Sequence, residues 1–356
     1  MINFETYNQA WVEKFKSNKN ETINPPVLEK MIYALSFVEQ LVQEKLNFIF
    51  KGGTSLILHF DDFNRFSIDV DIITTETNTK IEQVISKICK KGLFTSFSYK
   101  ERKSNTGEIP KAHYQINYNS VLNNLSSFIF LDVLFEESSY PEIISLPINS
   151  KWLNASNPMI EVNVPTIESI LGDKFTAFAP NTTGILYGKG KELEIIKQLH
   201  DIGYLFDSIK NIEIVKESFE RTVKQEMKYR NLGENSTIVL NDIVDTSLMI
   251  AKRDTNKTEP DKSRFEEFKR GLLSFKSYTI KQKFRIEDAI LTSAKAAYLA
   301  SLFLTNQTES FVIIDTNKAI ESLIENTEYN FLNKLKNTNK IAFSYWYLTL
   351  SILGRI

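Results

Sequence analysis

The chain has 356 residues, 42% hydrophobic and 24% charged, which is enough material for two domains with buried cores. Its formal net charge of −1 excludes a protein coated in positive charge, so any nucleic-acid contact must use local patches. The single Cys89 excludes an internal disulfide framework and a cysteine zinc site, and His59, His113 and His200 are too scattered for a histidine-rich centre.

Met1 to Lys16 is polar and mixed in charge, unlike a signal peptide. A short helix is expected around Tyr7 to Phe15. Pro25-Pro26 marks the start of a longer one, and Leu28, Ile32, Leu35, Val38, Leu41 and Val42 repeat at steps of three and four through Leu46, predicting an amphipathic helix. Leu46 to Phe50 is a short apolar run that ends at Gly52-Gly53, as a buried strand meeting a tight turn does. Thr54-Ser55-Leu56 opens a short helix. Ile68 to Thr74 is again apolar and β-branched but carries Asp69 and Asp71, which alternation places on one strand face.

Two like charges at that spacing repel, and apolar surroundings make ionisation costly. A divalent cation offsets both, and Mg²⁺ prefers carboxylate oxygens while keeping positions open for phosphates. The glycine turn lets backbone N–H groups approach an anion, and the helix after it aims its positive end there. Residues 50–74 therefore read as a phosphate cradle followed by two metal ligands, although a bare turn and a solvated strand face have the same local composition.

Thr79 to Lys90 repeats helical spacing and stops at Gly92. Phe94 to Tyr99, His113 to Tyr118 and Phe128 to Leu134 read as strands, with Lys103 to Pro110 a polar loop. Asp132 interrupts the third of these, unusual for a buried strand. Met159 to Val164 is one more strand. A helix follows Pro165-Thr166, with Thr166 the expected N-cap, and Lys174 falls on its apolar face beside Ile170 and Leu171. A lysine there either snorkels or has a partner. Asn181 to Gly190 is glycine-rich with Lys189 but lacks the Walker spacing, so it reads as a basic rim or a linker. Leu193 to Phe206 is a helix on which Lys197 and Asp201 are surface neighbours. Beyond about residue 210 the helical pattern takes over: Asn211 to Tyr229, Ser236 to Lys252, Arg264 to Ser274, Ile286 to Leu304, Thr316 to Leu335 and Ile341 to Leu353. No run of about 18 apolar residues predicts a membrane span, and a reducing cytoplasm is the expected compartment.

Lys51-Gly52-Gly53-Thr54-Ser55-Leu56, followed by Arg65-x-Ser67-x-Asp69-x-Asp71, resembles the nucleotidyltransferase superfamily of the DNA polymerase β type, and within it the AbiEii/AbiGii toxin family. The resemblance implies an α+β fold. Residues 1–210 would form a polymerase β-like nucleotidyltransferase domain, a mixed sheet flanked by helices, and residues 211–356 a helical bundle.

It further implies Mg²⁺, or Mn²⁺, held by Asp69, Asp71 and Asp132, with a nucleoside triphosphate bound by Gly52, Gly53, Thr54, Ser55, Arg65 and Lys174. Lys174 matches the family's phosphate-side lysine. Asp201 matches its Arg/Lys-Asp-hydrophobic motif, although His200 stands where the family carries a basic residue directly before the aspartate. Asp201 would orient or deprotonate the acceptor, or hold Lys174. The implied partners are an RNA acceptor such as tRNA, or a protein hydroxyl, and an antitoxin, in a toxin–antitoxin or abortive-infection system. A small-molecule nucleotidyltransferase of the antibiotic-modifying type and a non-catalytic interaction protein are the competing readings.

Overall fold

Hydrophobic alternation in the first half builds a five-stranded mixed sheet. The computed structural model describes residues 1–17, 23–100, 109–281, 283–315, 317 and 319–356; most of the polar loop expected from Lys103 lies outside them. The described chain falls into two compact units, one of Met1–Thr166 with Ser277–Lys283, the other of Ile167–Lys276 with Phe284–Ile356.

In the first unit, the helices are α1 (Gln9–Glu13), α2 (Pro25–Gln43), α3 (Gly52–His59) and α4 (Asn78–Lys90). The strands are β1 (Ile49–Lys51), β2 (Val70–Thr74), β3 (Ser96–Tyr99), β4 (Lys111–Asn119), β5 (Ser126–Phe135), β6 (Ile143–Pro147) and β7 (Glu161–Pro165). The sheet order is β1-β2-β5-β4-β3, and β6 and β7 form a separate hairpin. β2 and β5 run parallel; the other neighbours are antiparallel.

Val70 and Ile72 of β2, Ile129, Leu131 and Val133 of β5, and Tyr114, Ile116 and Tyr118 of β4 are buried on one face. α2 packs against β2 and β5, and α4 against β3. Tyr33 of α2 stacks on Tyr118 with centroids 3.7 Å apart, and Tyr114 donates its hydroxyl hydrogen to Asn78 Oδ1 at the start of α4, 2.5 Å away. The alternate residues of β2 and β5 therefore face away from these two helices.

β6 has no counterpart among the predicted strands. Pro147 ends it, Pro141 lies just before it, and its side chains are mostly exposed, so it reads as loop. Ser277–Lys283 joins this unit by backbone pairing: Phe66 N–H donates to the Tyr278 carbonyl (2.9 Å) and Ile280 N–H to the Asn64 carbonyl (3.0 Å).

The second unit is helical: α5 (Ile167–Ala177), α6 (Glu192–Phe206), α7 (Ile212–Arg230), α8 (Thr237–Lys252), α9 (Glu259–Phe275), α10 (Ile286–Thr305), α11 (Leu335–Thr338) and α12 (Lys340–Ile352). α10 is apolar nearly all round and packs on α6, α8 and α12, as a central helix must. The units part at Thr166 rather than near residue 210, because α5 and α6 pack on α7 and α10 within the helical unit.

Two sequence expectations fail here. α9 begins at Glu259, five residues ahead of the expected Arg264, because Thr258 accepts the Asp261 N–H and Pro260 tolerates a first-turn position. Among the described residues of the stretch expected as one helix from Thr316 to Leu335, α-helix begins only at Leu335 (Leu335–Thr338), after a 3₁₀ turn at Asn330–Lys334. Side chains take the backbone groups a helix would use. Asn333 brackets both the N–H and the carbonyl of Ile324 at 2.9 Å, and Ser344 Oγ accepts the Ile320 N–H at 2.8 Å. Among the described residues no helix is long and apolar enough to cross a membrane.

Candidate active site

Strand register gathers the acids. Asp71 of β2 pairs with Asp132 of β5 and, on the other side, with Lys51 of β1; Asp132 pairs in turn with His113 of β4. Directly opposed residues point to the same side of a sheet. Lys51, Asp71, Asp132 and His113 thus form one row across four strands, on the face that α2 and α4 leave uncovered. Asp71 and Asp132 are half-buried, while Val70, Ile72, Leu131 and Val133 between them fill the core. Asp69, two residues before Asp71, immediately precedes β2.

The glycine turn meets this row. Gly52 has φ +79°, a region that side chains with a Cβ rarely adopt, and a Cβ there would collide with the Asp71 carboxylate. A Cβ on Gly53 would run into the Arg65 guanidinium and come within 2.8 Å of Ser67 Oγ. Both positions need glycine for close approach. α3 starts here with Lys51 as N-cap and no side-chain cap, so its first N–H groups are the ones an anion can take. The positive end of α3 also favours a carboxylate beside it.

The hydroxyls of the turn are used internally. Thr54 Oγ1 donates to the Asp69 carbonyl at 2.5 Å, tying α3 to the start of β2, and Ser55 Oγ donates to the Gly52 carbonyl at 2.9 Å. Both side chains are fully buried, so what they offer a phosphate is backbone N–H. Arg65 is also buried, against Gly53, with its guanidinium donating to the Phe66 carbonyl at 3.2 Å; that position suits ordering of the loop. Gly52→Ala is expected to destabilise the fold by about 1–3 kcal/mol through the positive φ and the clash and to lower activity beyond that loss; chemical denaturation alongside a transfer assay measures both.

Lys174 and Asp201 meet in the second unit. Lys174 Nζ lies 2.6 Å from Asp201 Oδ2 and 3.2 Å from Gln198 Oε1, with Lys174 5% and Asp201 0% exposed. Asp201 is therefore buried rather than solvent-facing, and Lys197 pairs with Glu194 at 2.8 Å. His200, where the family motif carries a basic residue, is buried among Tyr204, Phe275 and Phe284, its Nδ1 3.4 Å from Asp201 Oδ1. Of the roles left open for Asp201, holding Lys174 is the one its contacts display.

The glycine-rich segment 181–190 is anchored rather than a free rim. Asp242 accepts from the Asn181 N–H (2.8 Å), Asn181 Nδ2 (2.6 Å) and Thr182 Oγ1 (2.8 Å), and the Glu267 carboxylate accepts the Gly188 N–H at 2.9 Å. Burial pushes the Cys89 thiol up from its ordinary value, which disfavours a nucleophilic role. A groove of ≈ 500 Å³ lined by Asn78, Glu82, Tyr99, Lys111 and Phe135 lies outside the carboxylate row.

Among the described residues no group of three or more His, Cys, Asp or Glu side chains is placed to hold a metal ion. Structural zinc demands such a group. Mg²⁺ takes one or two carboxylates and completes its shell with water and substrate phosphates, and the Asp71–Asp132 neighbours beside the Gly52 cradle fit that chemistry. His113 was not singled out in the sequence as a site residue; its signal was a histidine within a predicted apolar strand, which acquires meaning only through its register with Asp132.

A mixed sheet carrying neighbouring acids beside a glycine-started helix is the arrangement that the resemblance to nucleotidyltransferases implies. The profile of a family described as nucleotidyl transferase AbiEii toxin, type IV toxin–antitoxin system, matches residues 36–286, and the chain belongs to that family of nucleotidyltransferases. The chain is similar to two solved structures. One is a candidate nucleotidyltransferase from Helicobacter pylori, with 15% identity and a TM-score of 0.42, covering 80% of this chain and 97% of that one. The other is JHP933 from Helicobacter pylori, with 16% identity and a TM-score of 0.43, covering 81% and 97%. No curated protein matches the chain.

Proposed function

We propose that the chain transfers a nucleotide from a nucleoside triphosphate to an acceptor hydroxyl, using Mg²⁺ or Mn²⁺, as the toxin of a toxin–antitoxin pair in the cytoplasm. The acceptor is an RNA end, tRNA foremost, or a protein hydroxyl, and the antitoxin is the partner that restrains the enzyme. The observation that supports this reading best is the Asp71–Asp132 register beside the uncapped start of α3.

Asp71 and Asp132, neighbours in register, would hold the cation, with Asp69 the further ligand that the family resemblance implies; when bound, the cation supplies charge to the triphosphate and acidity to the acceptor hydroxyl. The backbone N–H groups of Gly53, Thr54 and Ser55 cradle phosphate oxygens. Arg65 keeps the loop after α3 in place. Lys174, assigned from the family resemblance, balances phosphate charge as a compact point charge, and Asp201 holds it. The acceptor oxygen attacks the α-phosphorus, the bond to the β-phosphate breaks, pyrophosphate leaves and the hydroxyl proton passes to solvent.

Titration calorimetry with Mg²⁺ and each nucleoside triphosphate tests the donor side. Binding of at least one triphosphate, dependent on Mg²⁺ and reduced in Asp71→Asn, is expected; no binding of any of the four sinks the reading. Incubation with labelled triphosphates and total RNA or total protein then identifies the acceptor.

A further inference from the structure

We propose that His113 is a positioning residue that holds the Asp132 carboxylate in its cation-binding orientation; this rests on the reading of Asp132 as a cation ligand. His113 Nδ1 is hydrogen-bonded to Asp132 Oδ1, across directly paired positions of β4 and β5. The histidine side chain is 7% exposed and the aspartate 33%, so the anchor is buried and the carboxylate it holds is reachable. The Phe130 ring lies 4.5 Å from the imidazole at 34°, which fixes the ring plane.

An ionised carboxylate only accepts hydrogen bonds, so the contact places the imidazole proton on Nδ1. One carboxylate oxygen is then held in place. Lone aspartates rotate, and ordering one on binding weakens affinity; a partner that orders it beforehand removes that cost. Metal sites use carboxylate–imidazole pairs for this purpose, and losing the outer partner typically weakens affinity about 10–100-fold. Tyr114, the next residue, faces α4 instead, so alternation keeps His113 on the side of the acid row.

The test is Mn²⁺ binding to the full chain without nucleotide, followed by electron paramagnetic resonance, in wild type, His113→Ala and His113→Asn, with thermal melting of each. Asn carries an amide N–H close to the Nδ1 position and should restore the bond. The expected result is affinity about 10–100-fold weaker in His113→Ala, with melting preserved and affinity largely recovered in His113→Asn. The Mg²⁺ concentration for half-maximal transfer should rise by the same factor. A merely structural histidine would lower melting without moving either affinity. Unchanged Mn²⁺ affinity in folded His113→Ala overturns the proposal. If that variant does not fold, His113→Leu replaces it, and equal affinity in the Leu and Asn variants overturns it equally. If wild type shows no Mn²⁺ binding that Asp71→Asn removes, the cation reading itself fails and the proposal goes with it. A wild-type site lost in Asp71→Asn yet intact in His113→Ala leaves that reading standing and rejects only the role of His113.

Discussion

Asp71→Asn is expected to reduce nucleotidyl transfer by about three orders of magnitude or more, with the fold intact. Asparagine preserves the shape of the side chain beside Gly52 but removes the negative charge a cation needs. Losing a carboxylate ligand removes several kcal/mol of charge stabilisation, and each 1.36 kcal/mol is tenfold in rate. Stability should stay nearly level, since the loss of charge beside Lys51 and the relief of repulsion from Asp132 oppose each other. Asp69→Asn should behave the same way, because the tie from Thr54 to the Asp69 backbone carbonyl is retained. Incorporation of a labelled triphosphate, read against circular-dichroism melting, separates the two effects. A variant that unfolds would mark these acids as structural; one that still transfers would remove them from the chemistry.

Asp201→Ala has the largest expected effect on stability. It strands Lys174, 5% exposed and 2.6 Å from the deleted carboxylate, in a helical core. Breaking a buried pair by removing one partner costs about 3–5 kcal/mol, whereas replacing both with apolar residues is often close to neutral. Lys174→Met combined with Asp201→Leu should therefore recover most of the stability lost in Asp201→Ala, yet stay inactive if Lys174 meets phosphate. Urea unfolding of the single and double variants gives the comparison. A single variant as stable as wild type would mean the pair is solvated, contrary to its burial.

The sequence exposed what local spacing controls. The glycine turn that opens α3, the strand that carries Asp71 and the amphipathic repeat of α2 each follow from neighbours within a few residues, whereas Asp69, expected inside that strand, falls just before it. Register is another matter. That Asp71 lines up with Asp132, and Asp132 with His113, depends on which strands pair and in what frame, and a one-residue slip would send every side chain to the other face. The burial of Asp201 was hidden for a similar reason, since an aspartate four residues after a lysine looks like a surface pair until α5 packs on α6. The failure at Thr316 to Leu335 came from Asn333 and Ser344, whose side chains compete for backbone groups from a distance that periodicity does not sense. The return segment Ser277–Lys283 joins the first unit through main-chain pairing, which leaves no side-chain pattern to read.

Crystals soaked with Mn²⁺ and a non-hydrolysable nucleoside triphosphate test the central claim most directly, through the anomalous signal of the metal. The expected result is a manganese peak within about 2.0–2.2 Å of carboxylate oxygens of Asp69 and Asp71, with triphosphate oxygens against the first N–H groups of α3. A nucleotide and metal seated away from Gly52, Asp69 and Asp71 would contradict it.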